Sequence, residues 1–552
     1  MNALLLAGVG IAWFVLMYKW YGRRISSKLV SPDDNTPTPA YAKRDGVDYN
    51  PANPFVLFGH HFSSIAGAGP IIGPVIGVGL FGWGPVLLWI LLGTIFIGAV
   101  HDYLSLMISV RREGRSMGDV AESAISPTAK LLFSVFIWLA LVLVIAVFAS
   151  VTAKTLVESP RIVIPTFALV FVAMGLGVVM NRKLLPLPIA TLLALIVQAG
   201  FVYLGSIFPV SLSESSAFYV WFVVLSVYAF FASVLPVGLL LCPRDYLSMY
   251  VLFLGMFLGY VGLIFAHPTL HIPSFVSFAS SKGPLWPMLF VIVACGAISG
   301  FHSLVASGTT SKQLSKESQG LAIGYGGMVM EGALALLTVL VVGSALYWKT
   351  APSVGLADFV YQSALKEGWI VAFGRAFGRI VSAVPLLTYE VGFLFGVMML
   401  NTFVLTTLDT SSRLGRFIFT ELAPKGILRN RWVATFCTLL PAFYLGISGK
   451  WSTIWPVFGA ANQLVGALVL LTITSYLFLR GKPTVYTLVP TAFMLITTIG
   501  ALLWQCFAPH KGFWMTSPPN VVLGIVAILL VILALFVVKE GIGVWQRKAK
   551  TP

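Results

Sequence analysis

Charge is what this 552-residue sequence has least of: Asp, Glu, Lys and Arg make up 10% of it, against 58% hydrophobic residues and a mean hydropathy of +0.93. Soluble domains carry about a quarter charged residues, so the composition excludes a soluble globular protein and points to a chain embedded in a bilayer. Cysteine is also scarce. Cys242, Cys295, Cys437 and Cys506 have no CxxC spacing, which excludes a disulfide framework and leaves no zinc motif. Acidic residues number 19 against 35 basic ones, a net charge of +16. Those basic residues sit in short loops between apolar runs, not on a soluble face interleaved with aromatics, so nucleic acid is not the partner and the charge reports orientation in the membrane. No soluble domain, long linker or low-complexity tail interrupts the apolar pattern, which argues against a receptor kinase or a channel with a large gating domain. The first apolar run lacks a basic n-region and a small-residue cleavage site, and it reads as a retained span.

A helix needs about 20 apolar residues to cross the hydrocarbon core. That template places fifteen spans, near 3–21, 55–80, 84–110, 131–153, 161–180, 185–208, 218–242, 246–266, 286–310, 321–347, 383–408, 432–449, 453–479, 485–505 and 520–538. An odd number sets the termini on opposite faces. With the N-terminus outside, roughly three quarters of the Lys and Arg residues fall in cytoplasmic segments, among them Arg23, Arg24, Arg111, Arg112, Arg182, Lys183, Arg413 and Arg416, so the expected orientation is N-terminus periplasmic and C-terminus cytoplasmic. The 349–382 stretch reads as an external amphipathic segment or a re-entrant pair.

The second span contains HHFSSIAGAGPIIGPVIG, residues 60–77, a poor helix by composition. Gly67, Ala68, Gly69 and Pro70 should interrupt it near mid-membrane, and freed backbone is tolerated there only if it is buried in protein or lines a cavity. Close packing by small residues would explain the glycines but not the two prolines. Five spans later, the run from Ser233 through Pro236 to Gly238 reads as a second interruption. Paired interruptions mark transporters built from inverted repeats, and an odd offset inverts the second copy. The topology resembles the five-plus-five inverted-repeat fold of leucine-transporter-type symporters: all-α and polytopic, with discontinuous helices. On that reading 1–54 is an accessory span and loop, 55–210 the first repeat, 211–420 the second, and 421–552 accessory spans.

Ionisable residues inside spans are costly, so each is a functional candidate. They are His60 and His61 before the first interruption, His101 and Asp102 in the third span, His302 in the ninth, Glu331 in the tenth, and Glu390 and Asp409 in the eleventh; Asn462 and Gln463 add uncharged polarity. His60 and His61 point about 100° apart, so they cannot share a partner readily. Asp409 stands four residues before Arg413, and a helix-end ion pair is the bland alternative for it. Glu331 has no Lys or Arg in its own span, which suits proton binding. Histidines 60, 61, 101 and 302 with Asp102 could form a metal site, but no H-x3-H or HExxH spacing supports one. No nucleophile–base pair for a membrane enzyme is found.

Longer motifs carry a family resemblance. Tyr49-Asn50-Pro51, Phe58-Gly59-His60-His61-Phe62, Ile65 to Pro70, Gly73-Pro74-Val75, Pro243-Arg244-Asp245-Tyr246-Leu247, Ser299-Gly300-Phe301-His302, Gly324-Tyr325-Gly326 and Leu408-Asp409-Thr410 strongly resemble the carbon starvation protein A (CstA) family. The resemblance implies a bacterial inner-membrane transporter induced by carbon starvation, taking up peptides or, in some members, pyruvate by proton symport, and placed in the amino acid, polyamine and organocation superfamily. Both substrate classes carry a carboxylate. It is expected at the amides of the half-helix that begins near Pro70, contacted by Gly67, Ala68, Gly69, Pro70 and Ile71, with Ser233 and Gly238 closing the other side. In the resembled fold a coupling cation sits between the first broken helix and a later core helix. That implies His302, Ser303, Ser307, Thr309 and Thr310 as cation-side residues, with Glu331, His61, Asp102 and Asp409 as further coupling groups. Hydroxyls suit sodium and an imidazole suits a proton. No cofactor is called for beyond H+ or Na+. A sodium symporter or a transporter-like nutrient sensor are the competing readings, and the oligomeric state is open.

Overall fold

The computed structural model describes residues 1–46, 48–213, 216–449 and 451–550. In chain order the membrane elements are α1 (Ala3–Val30), α2 (Pro54–Ala66), α3 (Gly69–Phe81), α4 (Trp83–Arg111), α5 (Pro127–Glu158), α6 (Val163–Asn181), α7 (Leu187–Ile207), α8 (Ala217–Val234), α9 (Leu241–Ala266), α10 (Leu285–Ile292), α11 (Gly300–Gly308), α12 (Gly326–Ala345), α13 (Trp369–Val381), α14 (Tyr389–Leu422), α15 (Arg431–Gly446), α16 (Trp451–Leu479), α17 (Val485–Phe507) and α18 (Val521–Lys550). Thirteen helices, α2–α3 taken as one, are long and apolar enough to cross a membrane among the described residues. The other two expected spans are present in different form. The stretch 286–310 is broken into α10 and α11, and 432–449 is the 16-residue α15.

The first interruption falls where the composition put it. Asn53 caps α2 by accepting from the Phe55 amide, Pro54 starts the helix, and Gly67 ends it at φ 42°, a left-handed value that glycine adopts at least cost. Ala68 then caps α3, with Pro70 in its first turn. The second interruption differs from expectation. The chain does leave the helix at 235–240, but α8 has ended at Val234 and α9 begins at Leu241, so this stretch connects two helices. The break inside a span is 293–299, between α10 and α11. It is seven crossings after the first, and this odd offset again inverts it.

The two breaks pack against each other, which explains the small residues on both. A side-chain carbon on Gly69 would lie 2.4 Å from Cys295 and one on Gly73 would lie 2.7 Å from the Ile292 carbonyl oxygen, while one on Gly296 would meet Ala335 of α12 at 2.6 Å. Around them, α5 and α14, the longest helices, pack on each other and on α8 and α15, while α2 rests on α9 and α11 on α16. The 349–382 stretch resolves into short helices, Tyr361–Lys366 and α13, and α13 buries its apolar face on α12 and α14.

Candidate functional site

Breaking a helix in a membrane frees backbone groups that must find partners. Around 293–299 those partners come from neighbouring helices. Trp89 donates its indole N–H to the Val293 carbonyl (2.8 Å), Thr94 its hydroxyl to the Gly296 carbonyl (2.8 Å), and Gln463 its amide to the Phe290 carbonyl (2.5 Å). Asn462 caps α11 by accepting from the Phe301 amide at 2.9 Å and bonds Ser299. Asn462 and Gln463 therefore serve the break itself. Their adjacency in an apolar span was a legible signal; the need they meet was not. At the first break the Ala68 carbonyl accepts from the Ile71 and Ile72 amides, Gly69 leads the half-helix α3, and Thr407 of α14 closes over Gly67.

Two buried polar networks flank the breaks. In one, Asp102 accepts from two imidazoles: His101 Nδ1 meets Oδ1 at 2.7 Å and His302 Nδ1 meets Oδ2 at 2.8 Å. The far nitrogen of His302 lies 3.2 Å from Glu331 Oε2, within ion-pair reach, yet neither it nor either Glu331 oxygen has a hydrogen-bond partner. His302 also lies against the backbone of Ile65, the penultimate residue of α2. Asp102, His302 and Glu331 are wholly buried and come from α4, α11 and α12.

The other network runs through four helices and the residue that ends α11. His60 bonds Asp245 Oδ2 through Nδ1 (2.8 Å) and Thr309 through Nε2 (3.1 Å), and Ser64 also donates to that oxygen (3.1 Å). Arg244 donates to Asp245 Oδ1 (3.0 Å), to Tyr228 (2.8 Å) and to Asp409, and Tyr228 donates to Asp409 at 2.6 Å. Asp409 is thus paired with Arg244 of α9. Its helix neighbour Arg413 instead donates to the carbonyls of Ala232 and Leu235 and approaches Asp48 at 3.7 Å.

The adjacent histidines do face different partners, as their 100° separation requires. His61 bonds Thr310 at 2.9 Å and lies on the His302 side, while His60 joins Thr309 and Asp245. Of the other hydroxyls, Ser303 and Ser307 donate to carbonyls of their own helix, Gly300 and Ser303 respectively. Glu390 is an exposed first-turn residue 3.5 Å from Arg161. Ser233 bonds Ser412 and Thr435, and Gly238 accepts from Asn181. The wall opposite Gly67 to Pro70 is instead 293–299. Gly238 lines a cleft of about 640 Å³ with Asp48, Asn53, Asn181, Lys183 and Cys242; Cys242 donates to Gln313 at its edge, two residues from Arg244. Tyr228, Arg244 and Asp245 join the site although sequence reasoning gave them no role. An Arg-Asp pair inside an apolar stretch was the available signal.

The chain matches known proteins along most of its length. The sequence model of the family described as carbon starvation protein CstA covers residues 2–354 and 355–501. A peptide transporter CstA of Escherichia coli is 33% identical over 92% of this chain and 82% of its own length, and one from Bacillus subtilis is 30% identical over 100% and 98%. The pyruvate/proton symporter BtsT of Escherichia coli is 29% identical over 93% and 83%. Among solved structures, MhsT in complex with L-phenylalanine superposes with a TM-score of 0.51 at 13% identity, covering 88% of this chain and 99% of that one. A manganese transporter of Eremococcus coleocola gives 0.51 at 11% identity, over 91% and 99%. These two share the leucine-transporter fold, with its discontinuous helices.

Proposed function

This chain belongs to the carbon starvation protein CstA family, and on that basis we propose that it is a secondary active transporter that takes up a small carboxylate or a short peptide with a proton. It is a multi-pass membrane protein with a transporter fold, and its relatives are named as transporters rather than enzymes. The observation that carries proton coupling is the facing pair His302 Nε2 and Glu331 Oε2, 3.2 Å apart and both unpartnered. With Asp102 ionised, both of its histidine partners donate through Nδ1, so the neutral His302 presents a lone pair to Glu331. Two acceptors facing each other in a dry interior leave their desolvation unrepaid, on the order of 1–3 kcal/mol each. One proton on the imidazole turns the clash into an ion pair. The pair is therefore a one-proton site, and it adjoins α2 through Ile65, so protonation bears on the first break.

Substrate binds between the breaks in this reading. Gly69 leads α3, whose positive dipole end suits a carboxylate once the two breaks, packed against each other at Gly69 and Cys295, part. The repeats are then best drawn as α2–α5 with α8 and α9, and as α10–α12 with α14 to α16, leaving α6–α7 as an inserted hairpin. The cleft beside Gly238 opens on the face of the Arg182-Lys183 turn, which the basic loops assign to the cytoplasm of a bacterial cell, the membrane being the inner one.

The test is uptake of labelled pyruvate and of a labelled dipeptide into proteoliposomes under an imposed pH gradient and, separately, a sodium gradient. Accumulation driven by the pH gradient is expected. Accumulation driven by sodium alone would assign the coupling to the hydroxyls Ser303, Ser307, Thr309 and Thr310 and overturn the proton reading.

A further inference from the structure

A second cleft, of about 820 Å³, lies on the outer flank of the bundle, between α4, α10 and α17. Its walls are apolar: Leu88, Leu92 and Phe96 on one side, Leu285 and Leu289 at the back, Val489 on the other. Along α4 the lining runs from Pro85 to Ile97, about 18 Å of helix, a little over half of the ~30 Å hydrocarbon core. One end is different in kind. There Tyr21 of α1 and Tyr486 of α17 meet with ring centroids 6.1 Å apart, and the exposed side chains of Arg24 and Lys28 reach the Tyr486 hydroxyl. The cleft is thus an acyl-length trough with two cations and two phenols at its mouth. Those cations lie on a helix whose basic end belongs, by the distribution of charge, to the face bearing anionic lipid.

We propose that this cleft is a site for an anionic phospholipid, its chain along α4 and α17 and its phosphate between Arg24, Lys28 and Tyr486. Charge complementarity selects the occupant: a zwitterionic lipid would fill the trough without using the cations, and a second copy of the chain would have to bring an acidic, apolar ridge to it. The site connects to the machinery through its wall. Trp89 lines the cleft and donates to the Val293 carbonyl, and Phe290 lines it while its carbonyl is held by Gln463. A chain packed against these residues steadies the α10 side of the second break, whatever substrate the breaks carry.

Native mass spectrometry of the purified protein, titrated with phosphatidylglycerol and with phosphatidylcholine, tests this. The wild type should retain phosphatidylglycerol with a preference of about fivefold or more, the worth of a single basic residue near a lipid headgroup. Arg24→Ala with Lys28→Ala should bring the two lipids within about twofold, the remaining phenols carrying no charge. Leu92→Trp, which fills the trough, should lower retention of both. An unaltered preference in the double variant, or no preference in the wild type, overturns the proposal without reference to any variant's folding. Loss of a dimer mass on Leu92→Trp would assign the cleft to a second copy instead.

Discussion

Among the described residues Glu331 meets no Lys or Arg, and both of its oxygens and the His302 Nε2 facing them are unpaired, so its contribution lies in the proton it shares with His302. Glu331→Gln keeps the shape and donates permanently from its amide. Acid-driven accumulation should fall tenfold or more, while exchange of labelled for unlabelled substrate without a gradient persists; loss of both in a folded variant would make Glu331 structural. Arg244 poses the opposite case. It is buried between Asp245 and Asp409, and Arg244→Met strands two carboxylates, which should cost about 3–5 kcal/mol. Thermal unfolding in detergent should show this loss, and adding Asp409→Leu should recover part of it, because an uncharged pair needs no compensation.

The elements that matter most are the two that stop being helices. Gly73→Leu pushes its side chain into the Ile292 carbonyl, a backbone atom that cannot swing aside, so the breaks must part and transport should be lost. Gly8→Leu, where nothing lies within 4 Å, should leave transport unchanged. The cap on α11 is also testable: Asn462→Leu removes the acceptor of the Phe301 amide and should destabilise by about 0.5–2 kcal/mol, measured by the same unfolding. Sequence reading found the first break because glycine and proline announce it locally. It set the second at Ser233 to Gly238 because Pro236 and Gly238 send the same local signal there. The true break, ACGAIS between Val293 and Gly300, contains no proline and opens because Trp89, Thr94, Asn462 and Gln463 take its backbone groups.

At the scale of the whole molecule, thirteen long helices among the described residues, with a broken pair and one short helix, match the fifteen crossings from which opposite faces for the chain ends are expected. Membrane-impermeant maleimide should therefore label Ser27→Cys and Lys282→Cys from opposite sides of sealed vesicles. Labelling of both from one side would require a different path for the chain. The polar network from His60 to Tyr228 joins α2, α8, α9, α14 and the C-cap of α11, and so ties the helices around the breaks to the α5–α8–α14–α15 array. Any rocking of one group against the other has to open it.

Composition and apolar run length determined on their own that the chain is a polytopic helical membrane protein with about fifteen crossings, since the bilayer imposes both and neither depends on who packs with whom. The first break and the costly residues His60, His61, Asp102, His302, Glu331 and Asp409 were legible for the same reason: each violates what lipid allows. Only tertiary structure decided their partnerships. Asp409 reaches Arg244 across helices instead of Arg413 along its own, and Glu331 of α12 meets His302 of α11, which Asp102 holds from 200 residues away. The second break is placed by side chains up to about 200 residues away. A hydrogen bond across a packed interface leaves no periodicity in the strand of letters on either side of it; only the fold brings its two ends within 3 Å.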